Sequence, residues 1–253
     1  MSAEATNEGT PVDRFGKISN DYGELFSEVF AEQGMDYEQL EKSVFDSVSQ
    51  IEPNFRNVPI LDIGIGDGAT SADFVQAGCT KLTGIDLNQE MIDATRVKFG
   101  DSVRLFRMDA VDMSAFAEGD FEIIISGAAI HNIPISKRKK FWEELLRLNP
   151  KIFVCAEKIK DSNPDKHKAD YEKEVGAIRK IYGEKHNLKD AEKEWLNHYE
   201  YDEREALNLD EITENIGDTY DISVVFEMGL YKTVVAKRKS NDPSTADNGA
   251  VNA

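Results

Sequence analysis

Ile60-Leu61-Asp62-Ile63-Gly64-Ile65-Gly66-Asp67-Gly68-Ala69-Thr70 is the stretch whose reading decides the fold of this chain. An apolar strand runs into three glycines at alternate positions, and sequence compatible with a helix follows. A backbone that turns this sharply without Cβ atoms lets a flat or charged ligand approach the main chain itself. The spacing Gly64-x-Gly66-x-x-Ala69 also satisfies the dinucleotide fingerprint, whose third position admits alanine. The loop therefore indicates a nucleoside-containing ligand without choosing one.

Outward from this loop, the apolar pattern alternates between short strand-like runs and helical periodicity, the signature of a parallel sheet covered by helices. Strands are expected over 59–63, 81–85, 103–107, 121–126 and 151–157, with helices over 67–76, 89–99 and 137–148. Acidic residues Glu24, Glu28, Glu32, Asp36, Glu38 and Glu41 mark two further helices before residue 60. A charged stretch, 161–204, carries Tyr171, Val175, Ile178, Ile181 and Tyr182 at helical spacing. It reads as a helical insertion over about 159–206, too polar for the sheet core. Two β-rich runs, 221–226 and 230–236, close the chain as an antiparallel hairpin. The expected fold is α/β: a Rossmann-like, mostly parallel sheet with helices on both faces, a terminal antiparallel β-hairpin, and a helical insertion after the fifth strand. One domain spans 15–239, and the polar ends, 1–14 and 240–253, are expected to be disordered.

Asp86 follows the second strand, about twenty residues past the glycines, where a carboxylate accepts the hydroxyls of an adenosine ribose. NAD enzymes and methyltransferases share that device. Three features favour S-adenosylmethionine. Asp62, two residues before Gly64, suits the cationic methionine end of that cofactor and would repel a pyrophosphate. Asp109, after the third strand, is placed to hold the adenine amino group while Ala110 N–H contacts the ring. The chain beyond the fifth strand holds a charged insertion and a hairpin where an NAD fold continues with further parallel strands.

In this order of glycine loop, Asp86, Asp109, fourth strand, insertion and terminal hairpin, the chain resembles the class I S-adenosylmethionine-dependent methyltransferases from about residue 20 to 239. The resemblance implies cofactor contacts at Asp62, Gly64 and Gly66, at Asp86 and Leu87 by the ribose, at Asp109 and Ala110 by the adenine, and at Ser126. A narrower similarity, carried by Met35-Asp36-Tyr37, Cys155-Ala156-Glu157-Lys158 and 226–236, links it to the carboxy-S-adenosylmethionine synthase branch of tRNA wobble-uridine modification. There a tyrosine at the place of Tyr37 closes over the cofactor, and an arginine on the insertion grips the extra carboxylate. The nearest stretch here reads Glu192-Lys193-Glu194-Trp195-Leu196, with no arginine, which favours plain methyl transfer. A noncatalytic cofactor-binding protein is the alternative of a different class, although the glycines and acids of the pocket are all retained.

Methyl transfer from a sulfonium is an in-line displacement that requires alignment, desolvation and at most removal of one substrate proton. His131, at the carboxyl edge of the sheet after the fourth strand, is the candidate general base; the competing reading is that it caps the following helix. His198, Tyr199 and Tyr201 are candidate substrate contacts if the insertion folds over the same edge as a lid. Trp195, Tyr171 and Tyr182 offer rings for a cationic group or simply pack. His167 and His186, set among charges, read as solvated.

With 48 acidic against 30 basic residues, a net charge of −18 argues against long nucleic acid as a partner. It reads as a solvated acidic surface or, less simply, as an acidic mouth for cationic substrates. A small-molecule methyl acceptor is the expected partner, and a homodimer is left open. Cys79 and Cys155 show no CxxC spacing and the four histidines no ligand spacing, so no metal is expected. Without a basic, apolar leader or an apolar run of membrane-spanning length, the expected location is the cytoplasm.

Overall fold

Residues 22–204 and 206–240 are described in the computed structural model of the chain. Of the ends expected to be disordered, 1–14 and 240–253, all but Ser240 lie outside the described residues. No helix among the described residues is long and apolar enough to cross a membrane.

Chain order is α1 (Tyr22–Glu32), α2 (Tyr37–Ile51), β1 (Ile60–Ile63), α3 (Ala69–Gln76), β2 (Leu82–Asp86), α4 (Gln89–Phe99), β3 (Val103–Arg107), β4 (Ile123–Gly127) and α5 (Ile135–Leu148). It continues with β5 (Ile152–Lys160), α6 (Pro164–Ile178), a π-helical turn (Arg179–Lys185), α7 (Lys189–Arg204), the two-residue β6 (Leu207–Asn208), α8 (Leu209–Ile216), β7 (Tyr220–Met228) and β8 (Tyr231–Arg238). Side chains start several helices where the expected pattern breaks. Asp36, Asn88, Asn163 and Asn208 each accept a backbone N–H of the first turn, satisfying donors that the helix itself leaves free. Asn149 ends α5 in the left-handed conformation, φ 55°, so the chain reverses into β5 within a short turn although no Gly-Gly pair is present.

The sheet runs β3-β2-β1-β4-β5-β8-β7. Strands β1 to β5 are parallel neighbours, β8 is antiparallel to both β5 and β7, and β6 adds a short parallel pairing to β5. Strand order reverses between β1 and β4, and such a switch point opens a crevice at the carboxyl ends of the strands. Successive residues face opposite layers. Ile60, Ile123, Ile125 and Val154 pack with α1, α2 and α3, whereas Leu61, Ile63, Ile124 and Phe153 pack with α5 and α8.

The insertion departs from its reading as a polar appendage. Ala177, Ile178, Ile181, Tyr182, Trp195 and Tyr199 join the first of these core layers, and α6 with the π-turn packs on α1. Its charges cover the outer face, and its apolar stripe is as deeply buried as that of α2. Tyr182 and Trp195 are core residues, which leaves neither ring open to a cationic ligand.

Candidate active site

A cavity of about 620 Å³ opens over the carboxyl ends of β1, β2, β3 and β4. That volume suits a ligand of cofactor size. Gly64 and Gly66 line it in left-handed conformations, φ 70° and 55°. At Gly64 a Cβ would overlap Ala129 Cβ, so the absent side chain lets the β1 and β4 loops touch. Asp86 ties the glycine loop to β2: Gly66 N–H donates to its Oδ2 at 2.9 Å and Asn88 N–H to its Oδ1 at 2.8 Å. A carboxylate has about four acceptor positions, so these bonds leave it able to accept from a ligand hydroxyl. Burial holds the Asp86 carboxyl above the usual carboxylate range, opposed by the N–H groups of Asn88, Gly66 and Leu87.

Tyr37, Gly64, Gly66, Asp86, Leu87, Asp109 and Ala110, seven of the residues expected to meet cofactor, share this cavity wall. Val111 N–H donates to Asp109 Oδ1, which fixes that carboxylate at the end of β3. Two expected contacts lie behind the wall. Asp62 is fully buried, accepts from Ser71 Oγ at 2.6 Å and keeps Oδ1 without a partner among the described residues. Burial, with the charge of Asp86 adding and Ser71 opposing, pushes its pKa up to about 7. Ser126 is also fully buried, its Oγ 3.1 Å from Ile63 O and 3.3 Å from Glu157 Oε1. It is a contact between strands and is absent from the cavity lining.

His131 does not stand at the cavity as a general base. It is buried, and its Nδ1 lies 2.7 Å from Glu157 Oε2. Glu157, on β5, also receives the N–H groups of Ala129 at 3.0 Å and Ile130 at 2.9 Å. Burial alone would raise the Glu157 carboxyl; the hydrogen bond from His131, together with those N–H groups, outweighs it and holds the group below its usual range. The anion fixes Nδ1 as the donor, so Nε2 accepts from Asn132 Nδ2 at 3.3 Å. Asn132 Nδ2 also donates to Ala128 O at 3.0 Å. Both amide hydrogens are thereby used on the protein, and Asn132, which lines the cavity, keeps its carbonyl oxygen for a ligand.

The proposed lid contacts point elsewhere. His198 and Tyr199 are buried in the insertion: His198 Nε2 is 3.5 Å from Asp202 Oδ2, and Tyr199 hydrogen-bonds Glu174. Lys158 Nζ sits 3.5 Å from the Tyr199 ring centroid and 2.8 Å from Asp202 Oδ2. Tyr201 is half-buried beside Arg204. None of the three lines the cavity. His167, read as solvated, is buried with Nε2 2.8 Å from Glu203; His186 is more open and meets Glu28 at 2.7 Å.

Glu41, Asp67, Thr70, Asn88, Glu90, Asn132 and Lys137 complete the polar lining, and none of them was expected from sequence as a site residue. Glu41 lies one helical turn after Tyr37, a spacing that puts both on one face of α2. Burial and the charge of Asp67 push its pKa up to about 7, with Tyr37 and Lys98 opposing.

A family model described as a methyltransferase domain matches residues 60–150, which hold the glycine loop, Asp86, Asp109 and the Glu157-bound loop after β4. Residues 60–150 thus match a methyltransferase domain, set within a Rossmann-like fold. The same fold recurs across nearly its whole length. The structure of magnesium protoporphyrin IX methyltransferase from Synechocystis PCC 6803 with bound SAM is similar at TM-score 0.59 and 14% identity, covering 90% of this chain and 95% of that one. A SAM-dependent methyltransferase from Aquifex aeolicus is similar at TM-score 0.53 and 15% identity, over 91% and 98% of the two chains. An uncharacterized protein of Haemophilus influenzae is 25% identical over 87 residues, 32% of this chain and 34% of its own length. The match thus spans about a third of that curated relative. The matched segment contains the glycine loop and both acids; the insertion, α8 and the hairpin lie beyond it.

Proposed function

We propose that this chain is an S-adenosylmethionine-dependent methyltransferase that transfers a methyl group in line to an O, N or S atom of a small-molecule acceptor. One observation carries the reading: a single cavity gathers the glycine loop, Asp86 and Asp109 at three adjacent strand ends. The residues fit the cofactor chemically. Asp86 keeps acceptor positions for ribose hydroxyls, Asp109 and Ala110 meet the adenine, and Gly64 and Gly66 present bare backbone to the part between. When bound, S-adenosylmethionine supplies an electrophilic methyl group on a sulfonium. The work of the chain is then to bind, align and exclude water. Acidic lining attracts the cation, and Tyr37 with Glu41 on α2 covers it from solvent. His131 is not among the residues that line the cavity, so the acceptor's proton leaves to solvent or to a lining carboxylate such as Glu41, or the acceptor carries no proton that must be lost.

The carboxylated cofactor gains no support, since the lining holds no arginine among the described residues. A reducing, cytoplasmic setting is part of the proposal and is supported by Cys79 and Cys155, both buried and unbridged. Calorimetric titration of the purified chain with S-adenosylmethionine and S-adenosylhomocysteine tests it. Micromolar binding of both is expected, with Asp86→Ala weakening both by at least about a hundredfold through loss of charge-assisted hydrogen bonds and of the loop tether. Absence of binding by the wild-type chain would refute the proposal.

A further inference from the structure

Lys137 is the one basic side chain among the described residues that line the cavity, facing the carboxylates of Glu41, Asp67, Asp86, Glu90 and Asp109. It stands in the first turn of α5, on the β4 side. Several other lysines, among them Lys151, Lys160, Lys166, Lys180 and Lys185, are each paired with a carboxylate. Lys137 is exposed and has no carboxylate within 4.0 Å among the described residues, although its neighbour Arg138 is buried against Glu211 at 2.9 Å. The start of α5 has no side-chain cap, and the positive end of a helix adds its own preference for an anion.

We infer that Lys137 is the recognition point for a small carboxylate-type anion held at the β4 end of the cavity. The inference rests on the proposed cofactor for its direction. With adenine at β3 and ribose at β2, the rest of the cofactor runs over β1 toward β4, because the strands stand in that order. An anion arriving there comes either from the amino-acid carboxylate of the cofactor or from a carboxylate on the acceptor. Elsewhere along the cavity the five carboxylates repel it, and Lys137 alone offers a counter-charge.

Calorimetry on the full chain separates the two sources. S-adenosylhomocysteine carries the amino-acid carboxylate, and 5′-methylthioadenosine has the same nucleoside without it. If the cofactor supplies the anion, Lys137→Gln weakens S-adenosylhomocysteine at least about tenfold. Lys137→Arg then restores most of that affinity, while 5′-methylthioadenosine binds both variants as it binds wild type. Lys139→Gln, one residue pair away, is the control and leaves all affinities unchanged. If the acceptor supplies the anion, nucleoside affinities stay at wild-type values in Lys137→Gln. In that case acetate titrated into S-adenosylhomocysteine-loaded wild type shifts the Lys137 ammonium resonance. Unchanged S-adenosylhomocysteine affinity together with an unmoved Lys137 resonance would overturn the inference. Failure of wild type to bind either nucleoside would instead refute the proposed function, a separate outcome.

Discussion

At the scale of single residues, the site depends on what Gly64 lacks as much as on what Asp86 provides. A side chain at Gly64 meets two penalties: a left-handed backbone, worth about 1–2 kcal/mol for an ordinary residue, and overlap with Ala129. Gly64→Ala should therefore lower stability in urea by about 2–4 kcal/mol and abolish nucleoside binding. Gly78, also left-handed at φ 85° but with open space around its missing Cβ, supplies the comparison. Gly78→Ala should cost only about 1–2 kcal/mol and leave calorimetric binding untouched. Equal effects at the two positions would mean that contact between the β1 and β4 loops plays no part in shaping the pocket.

Among the elements, the loop from β4 to α5 is held from β5 by Glu157. One buried carboxylate collects the backbone of Ala129 and Ile130 and the His131 ring, and through His131 it orients Asn132. Breaking a buried pair by removing one charge typically costs about 3–5 kcal/mol. Glu157→Gln should lower the melting temperature accordingly and raise amide exchange over 128–132, while β1 and β2 keep their protection. If exchange stays at the wild-type level, Glu157 is not what orders the loop. The chain announced this arrangement only in part. The succession of strands along the chain, the glycine loop, and the placing of Asp86 and Asp109 at strand ends were legible because local pattern determines them: alternation, glycine spacing and a carboxylate at a strand end. Burial of His131 and Ser126 was not, because both depend on Glu157, a residue far along the chain whose partners no spacing reveals. A lone acid ending the apolar run 152–156 was the available signal. Likewise, the helical spacing of Ile178 and Tyr182 was visible, but charge density over 161–204 concealed that they join Trp195 and Tyr199 in the core, which needs α1 beside them to be recognised.

Across the whole molecule, buried carboxylates make stability fall where acidic surfaces usually leave it flat. Glu174, on α6 and fully buried, accepts hydrogen bonds from Tyr199 and Tyr231. Burial pushes its pKa up to about 7 from 4.5, with Lys158 and Tyr231 opposing and the charges of Asp202 and Asp170 adding. Below pH 4.5 both folded and unfolded forms hold the proton. Between 4.5 and 7 the unfolded chain releases it while the folded chain retains it, so rising pH costs stability through that window and no more above it. At 1.36 kcal/mol per unit the effect is at most about 3 kcal/mol. Glu174→Gln removes this dependence, so its melting temperature relative to wild type should rise between pH 5 and pH 7.5. A difference independent of pH would show that Glu174 is already ionised in the folded protein.

The two tryptophans stand on opposite sides of the sheet: Trp142 on α5 packs in the layer with Phe153, and Trp195 on α7 in the layer with Tyr182. Nature has thus installed one fluorophore per layer. Replacing either by phenylalanine yields a chain whose emission reports a single side, and a pair of such chains can time the two sides separately as the protein assembles. Coincident traces would mean that the insertion is built together with the sheet; a delayed Trp195 signal would mean that it settles onto a finished sheet.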